Sequence, residues 1–417
     1  MKIAIASALD DEYTMPTEVM LESLLESALE ETEYYIYLLV PGGYDQKNRE
    51  RLTSLNRKFP GHHVMFIDMN HRFKEERLTI SHVTYPTYYR LLLPDILAEW
   101  DKCIYLDGDV LVLEDLGDLY QNNIFDYYVG GVKAPFYCRT YETKEQNRKR
   151  LNLPDMDCYI NAGVLLMNLR KLREEQMIPR FLSMLEREKE KTNDQDIINV
   201  QCYGKIKSLP FCYNYQVEAS YLDKNTLFDI FSPLEGEFLN DKPKILHYSN
   251  NNVKPWRSLD YEYSDLWWEY FCKTSYAGEE KKRKAIINAK RAQKEKRFEQ
   301  LIEKLKQEKY VVLFGYYEIG IELLKKLKRD QVQVHCFCDN DRGKWGNGTD
   351  GLAVESLENC LLKYPEAFFI ITSQNYAGEI ARQLEEAGVS EDRILKYRRE
   401  HDWLNEARKR KIRELYL

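Results

Sequence analysis

The stretch Ile104-Tyr105-Leu106-Asp107-Gly108-Asp109-Val110-Leu111-Val112 decides how the larger part of the chain is read. Two carboxylates, one residue apart, interrupt an apolar run with the composition of a buried strand. An unpaired buried carboxylate is strongly unfavourable, so something cationic is expected beside it. Alternate side chains of an extended strand share a face, which puts Asp107 and Asp109 on one side with Gly108 free to bend between them. That geometry suits one hard divalent cation, or a cation together with the diphosphate it neutralises. An Asp-Gly turn between two strands accounts for the same letters. On this stretch alone both readings stand.

Outward from it, residues 1–272 alternate strand-like and helical runs. Ile3 to Ala6 and Tyr35 to Val40 read as strands around a helix holding Val19 to Leu29. Val64 to Asp68 reads as another strand, and Thr87 to Leu97 as a helix leading into the Asp107 strand. Strands separated by helices predict a mainly parallel α/β sheet. Ligands of such sheets sit beyond the carboxyl ends of the strands, where Asp107 and Asp109 fall. Residues 273–309 form a charged helical linker, with 12 Lys/Arg against 6 Asp/Glu between 279 and 309. Phe298, Leu301, Ile302 and Leu305 follow helical spacing there, which predicts a solvated helix with one packed stripe. A basic helix lying on lipid, and so a peripheral membrane contact, is the sharper alternative.

A second αβ pattern fills residues 310–396. Val311 to Phe314 reads as a buried strand, Gly315 to Gly320 as a tight turn and Ile321 to Leu327 as a helix. Val332 to Phe337 and Phe368 to Thr372 read as strands, with a helix around Ile380 to Ala387. This is the pattern of a small Rossmann-like domain. Residues 397–417 read as a charged helix carrying Trp403, Leu404, Ile412 and Leu415.

The bulk numbers bound the function. The 417 residues suffice for two domains, and 44% apolar with 31% charged residues is the balance of a soluble globular protein. A net charge of −7 argues against nucleic acid as a partner. No signal-peptide apolar region follows Met1-Lys2, and no apolar run approaches the roughly 18 residues of a membrane span. The nine cysteines are scattered without a CxxC pair, as expected of reduced thiols in a cytoplasmic protein.

Five further segments put polar groups at strand ends or helix starts: Asp10-Asp11-Glu12-Tyr13, Asn161-Ala162-Gly163, Asn193-Asp194-Gln195-Asp196, His247-Tyr248 and Lys254-Pro255-Trp256. Each has a plainer explanation by itself: a turn at Asn161, a helix N-cap at Asp194, an ordinary strand-end histidine at His247. In this order, with Tyr88-Tyr89-Arg90-Leu91 and Tyr105-Leu106-Asp107-Gly108-Asp109-Val110-Leu111, residues 1–272 resemble glycosyltransferase family 8. These are retaining enzymes of the GT-A nucleotide-diphospho-sugar transferase fold, among them glycogenin and bacterial lipopolysaccharide galactosyl- and glucosyltransferases.

The resemblance implies a donor, a metal and roles for residues. Asp107, Asp109 and His247 would bind Mn²⁺, with Mg²⁺ also possible; two carboxylates and an imidazole favour the former. The donor would be UDP-glucose or UDP-galactose, and the acceptor a cell-surface glycan such as lipopolysaccharide or capsule, handled at the cytoplasmic face. Asp10 and Tyr13 would lie toward the nucleotide, Arg90 would hold the donor, and Lys254 would add positive charge at the leaving phosphate. Asn161, Ala162, Asp194 and Gln195 would line the sugar pocket, with Gln195 nearest the anomeric carbon. An amide is a poor nucleophile, so attack from the face of the departing UDP is favoured, while Asp194 or Asp196 as a covalent nucleophile stays open.

Three departures from the family's pattern stand out. The loop Ser249-Asn250-Asn251-Asn252-Val253 lacks the usual glycine and is one residue longer, Glu12 stands where Asn is common, and Val132 to Pro135 lacks an acid facing the acceptor. In the second domain, Gly315-Tyr316-Tyr317-Glu318-Ile319-Gly320 stands in the place of a dinucleotide fingerprint with Asp339 beyond it, but Tyr317 replaces a glycine. That region resembles degenerate Rossmann-like modules appended to bacterial polysaccharide glycosyltransferases. Two other functions fit the letters: an NAD-dependent sugar-modifying oxidoreductase, and a catalytically silent scaffold that binds sugar nucleotide. Donor hexose, acceptor, linkage and oligomeric state are not legible.

Overall fold

The computed structural model describes residues 1–73, 85–138, 141–187, 193–222, 227, 230, 231, 242–251, 253–346, 348–373 and 376–397. The predicted tail helix with Trp403 and Leu404 lies outside them. The chain divides into two compact units, Met1–Lys284 and Ala285–Leu417.

The first unit is built on a seven-stranded sheet: β1 (Lys2–Ala8), β2 (Glu33–Val40), β3 (His63–Asp68), β4 (Cys103–Leu106), β6 (Val129–Lys133), β7 (Ile160–Met167) and β8 (Ile206–Ser208), in the order β3-β2-β1-β4-β7-β6-β8. The sheet is buried on both faces. Ile3, Ile5, Ile36, Leu38, Ile104 and Leu106 pack on one side; Ala4, Ala6, Leu39, Cys103, Tyr105 and Leu165 pack on the other. Near-continuous apolar strands are what such two-sided burial requires.

The sheet is mainly parallel, as expected, with one strand reversed. β3, β2, β1 and β4 run parallel, but β7 runs antiparallel to both β4 and β6. The reversed strand places the start of β7, not its end, beside the carboxyl end of β4. The run from Ile104 to Val112 is not one strand. β4 stops at Leu106, Asp107 to Asp109 form a turn, and β5 (Val110–Val112) enters a second sheet of order β5-β10-β9, with β9 at Tyr215–Gln216 and β10 at Ile245–His247. The helix expected from Thr87 is a 3₁₀ stretch, Tyr85–Leu92, followed by one short α-turn, Leu93–Ile96, where Pro94 lies in the first turn.

The second unit carries a parallel five-stranded sheet, β13-β12-β11-β14-β15. Its strands are β11 (Val311–Phe314), β12 (Cys336–Cys338), β13 (Val354–Glu355), β14 (Phe368–Ile371) and β15 (Ile394–Lys396). β12 is shorter than the predicted Val332 to Phe337, and the turn after β11 gives way to helix at Glu318 rather than at Ile321. At that turn Gly315 has φ of +119°, and a Cβ there would lie 2.8 Å from the ring of Tyr317. The Tyr317 hydroxyl donates to the Thr372 carbonyl, and Asp339 accepts from the Tyr316 N–H at 2.8 Å. The linker region forms one helix, Glu280–Gln307, and no described helix is long and apolar enough to cross a membrane.

No disulfide joins the described cysteines; Cys103, Cys202, Cys212, Cys336, Cys338 and Cys360 are buried, whereas Cys158 and Cys272 are exposed. Burial alone pushes the thiols of Cys103 and Cys202 up, away from the reactive thiolate. A soluble alkylating reagent should therefore label Cys158 and Cys272 in the native protein and the six buried thiols only after denaturation, as read by mass spectrometry of the labelled peptides.

Candidate active site

The strand registers bring the turn at Asp107 to Asp109 between two other chain segments. Leu106 on β4 faces Val164 on β7, and the Asp107 N–H continues the ladder by donating to the Gly163 carbonyl at 2.8 Å. On the other side β5 pairs antiparallel with β10, setting Val110 opposite His247, and the Tyr248 N–H donates to the Asp109 carbonyl at 3.1 Å. Gly108 packs against the helix Thr14–Glu26, where a Cβ would stand 2.4 Å from the Thr17 hydroxyl. The turn is tight because the neighbouring helix leaves no room for a side chain. The segment is therefore both an Asp-Gly turn and a pair of convergent carboxylates.

Asp107, Asp109 and His247 each offer a ligand atom, all within 4.8 Å of one another. The Asn161 carboxamide oxygen accepts from the Gly163 N–H and from Asn214 Nδ2, both at 2.9 Å. Asn214 must then present its oxygen to His247 Nδ1, also 2.9 Å away, so Nδ1 carries a proton and, in the neutral imidazole, Nε2 a lone pair. That lone pair lies 3.2 Å from Asp109 Oδ1 and 4.0 Å from Asp107 Oδ2. Asp109 Oδ1 is buried with no hydrogen-bond partner among the described residues. Three lone-pair donors facing one another, two of them buried and Asp107 partly exposed, repel, and a divalent cation turns the repulsion into coordination. The donor set and the orphaned oxygen both fit such an ion. Gly163 makes the approach feasible: a Cβ there would lie 2.2 Å from His247 Cε1 and 2.7 Å from Asp107 Oδ2.

Two buried cations hold the carboxylates. Arg90, 4% exposed, donates to Asp107 Oδ1 at 2.7 Å, to the Ala162 carbonyl and to the Thr87 hydroxyl, and its Nε lies 3.0 Å from Asp194 Oδ2. The guanidinium also sits 4.2 Å from the centre of the Tyr105 ring. Lys254, 2% exposed, donates to Asp109 Oδ2 and, at 3.1 Å, to the Tyr248 carbonyl. Burial opposes the charge of Asp109, but Lys254 and then His247 outweigh it and hold the carboxyl well below its usual range. Burial likewise works against Lys254, and Asp109 and Tyr13 outweigh it, holding the ammonium above its ordinary value. For Asp194 burial wins over Arg90, and its carboxyl is pushed up.

The remaining residues singled out in the sequence fall around this centre. Tyr13 brings its hydroxyl to 3.5 Å from Asp109 Oδ2 and its ring to 5.6 Å from the Lys254 ammonium; burial pushes its phenol up to about 12. Asp10 caps the same turn by accepting the Tyr13 N–H at 3.0 Å, while Glu12 is exposed. The helix Asp194–Gln201 is capped by Asn193, not Asp194. Gln195 accepts the Ala162 N–H at 3.1 Å, so both backbone polar groups of Ala162 are spent inside the protein. The 249–253 loop closes without a positive φ among its described residues, through a Val253 N–H to Asn250 carbonyl turn of 3.1 Å, and Ser249 donates to the buried Glu218. Sequence reasoning missed Asn214 and Thr87. Asn214, wholly buried, is the one amide in the aromatic run Phe211-Cys212-Tyr213-Asn214-Tyr215, and that isolation was its signal.

The sequence profile described as Glycosyl transferase family 8 matches residues 4–260, and one described as C2185-like, N-terminal matches residues 307–395. General stress protein A of Bacillus subtilis (strain 168) is 26% identical over 279 residues, covering 65% of this chain and 94% of that protein. Lipopolysaccharide 1,2-glucosyltransferase of Escherichia coli is 25% identical over 288 residues, covering 62% and 80%. Two glycosyltransferases of Streptococcus pneumoniae are longer, and this chain spans 42% of one and 61% of the other. Among solved structures, the galactosyltransferase LgtC in complex with donor and acceptor sugar analogs superposes with a TM-score of 0.58 at 26% identity, covering 66% of this chain and 100% of LgtC.

Gly163→Ala should crowd His247 away from the carboxylates while leaving the strand intact. Titration of Mn²⁺ into the purified variant is expected to show affinity weakened by roughly tenfold or more relative to wild type, with unfolding shifted only by about the 1–3 kcal/mol that overpacking costs.

Proposed function

The chain belongs to glycosyl transferase family 8, and on that premise we propose that it moves a hexose, glucose or galactose, from a UDP-sugar to a cell-surface glycan with retention of anomeric configuration. The observation that carries this reading is the convergence of Asp107, Asp109 and the His247 Nε2 lone pair on one point. Mn²⁺ suits that donor set, with Mg²⁺ the alternative. Held by Asp107, Asp109 and His247, the cation would supply positive charge to offset the negative charge developing on the departing UDP.

The chain's own residues then divide the work. Arg90 aims Asp107 and Asp194, acting through them rather than as a free donor clamp. Lys254, fixed beside Asp109, supplies a buried positive charge at the leaving diphosphate. Tyr13 and Asp10, on the turn after β1, lie toward the nucleotide. Asn161 Nδ2 carries no hydrogen bond among the described residues and is available to a sugar hydroxyl. Asp194 bonds donor hydroxyls, and Gln195 offers a carboxamide oxygen to positive charge developing at the anomeric carbon. The acceptor we favour is a lipopolysaccharide or capsule glycan met at the cytoplasmic face of a membrane, a choice supported by the Escherichia coli relative's being a lipopolysaccharide glucosyltransferase.

The oxidoreductase reading is disfavoured by Tyr317, whose ring crosses the glycine that a dinucleotide would approach. The silent-scaffold reading rests on the altered 249–253 loop alone.

The test is UDP release from a panel of UDP-sugars, with Mn²⁺ or EDTA, by wild type and Asp109→Asn. Release from one hexose donor is expected, abolished by EDTA and reduced roughly a hundredfold or more by the substitution. Absence of both turnover and metal-dependent UDP binding would overturn the reading. Titration with NAD(H) is expected to give no binding.

A further inference from the structure

Gln195 is the end of a hydrogen-bonded chain that begins on another helix. Arg150, near the end of the helix Tyr141–Leu151, forks onto Asp196, Nη1 to Oδ2 at 2.9 Å and Nη2 to Oδ1 at 3.1 Å. Asp196 is 3% exposed, and its carboxylate closes the capping box by accepting the Asn193 N–H at 3.4 Å. The fully buried Tyr159, stacked on Tyr137 with centroids 4.8 Å apart, donates its hydroxyl to Asp196 Oδ1 at 2.6 Å. With its only proton committed, the Tyr159 oxygen accepts from Gln195 Nε2 at 3.2 Å. The other end of the carboxamide is fixed because only an oxygen can accept the Ala162 N–H.

Resting on the glycosyltransferase reading above, we propose that Arg150, Asp196 and Tyr159 form a positioning relay that orients and polarises the Gln195 carboxamide, and that Asp196 is not a covalent nucleophile. Both Asp196 oxygens are already engaged by charge-assisted or short bonds, so a nucleophilic lone pair would have to be stripped of buried partners. The relay also has a direction. The Asp196 anion draws on the Tyr159 O–H, which makes the phenolic oxygen a stronger acceptor for the Gln195 N–H. Density withdrawn from that N–H bond is returned to the carboxamide oxygen. The oxygen therefore meets positive charge at the anomeric carbon better than an isolated amide would. No bond to the enzyme forms or breaks, and the proton of the attacking hydroxyl leaves with the departing phosphate.

Tyr159→Phe deletes one hydroxyl, and Asp196→Asn removes the anion but keeps the shape. On the donor that wild type hydrolyses, each is expected to lower kcat roughly ten- to hundredfold with KM for the UDP-sugar and Mn²⁺-dependent UDP affinity within about twofold of wild type. Because both act through Gln195, the double variant should be no worse than the weaker single variant by more than about twofold. Unchanged UDP affinity guards against misfolding, and Arg150→Lys, which keeps the charge and loses the fork, should fall between wild type and Asp196→Asn. Wild-type kcat in Tyr159→Phe overturns the relay. So does multiplication of the two losses in the double variant, or a hexosyl adduct on Asp196 in the intact mass of enzyme trapped with donor. A wild type that binds and turns over no UDP-sugar overturns the family function and the relay together, whereas a turning-over wild type isolates the relay.

Discussion

Two carboxylates and an imidazole within 4.8 Å of one another, Asp109 and His247 buried and Asp107 partly so, are the constraint around which the first unit is arranged. Asp107 and Asp109 bring two negative charges to the point, and Asp194, through Arg90, a third. Arg90 and Lys254 return two positive charges, both almost completely buried. The centre is left one positive charge short, with the Nε2 of the neutral His247 imidazole turned toward the carboxylates. A site that carried only structural ion pairs would close this balance, since burying an uncompensated charge is among the most costly things a fold can do. A divalent cation would make up that one charge and leave a second to face a diphosphate.

The backbone serves the same end. A wholly parallel sheet would present strand ends of one polarity, and the polar start of β7 would lie at the far edge from Asp107. Reversing β7 sets Asn161, Ala162 and Gly163 beside the carboxyl end of β4, where Gly163 admits the imidazole and Ala162 ties Arg90 to Gln195. The switch of β5 into a second sheet does the same for β10 and its terminal His247. Two glycines, at 108 and 163, carry the close approaches, one against the helix Thr14–Glu26 and one against the imidazole.

Much of this was legible in the letters, because buried carboxylates in an apolar run break the pattern and so announce themselves. The alternation of strands and helices through both units was legible for the same reason: apolar runs of strand length bounded by turn residues leave few options. What was not legible depended on partners distant in sequence. The reversal of β7 leaves no mark in its own composition, since a strand buried on both faces reads alike in either direction. The break at Gly108 was one of two open readings until the sheet pairing was known. Asn214 lies thirty-three residues before the histidine whose tautomer it sets, and nothing local ties the two.

The second unit shows the opposite outcome of the same accounting. It keeps a parallel sheet and the strand-turn-helix of a nucleotide-binding fold, yet its polar groups look inward. Asp339, at the end of β12 where a ribose would be met, accepts the Tyr316 N–H and pairs with Lys344. Tyr317 lays its ring over Gly315 and bonds the Thr372 carbonyl across the mouth of the turn. The carboxylate that a ribose would meet and the mouth of the turn are thus already taken up by bonds within the unit. In the first unit, by contrast, Asp109 Oδ1 and His247 Nε2 are left without a donor or proton between them. Fold alone does not distinguish the two units as nucleotide sites; the unsatisfied polar atoms do.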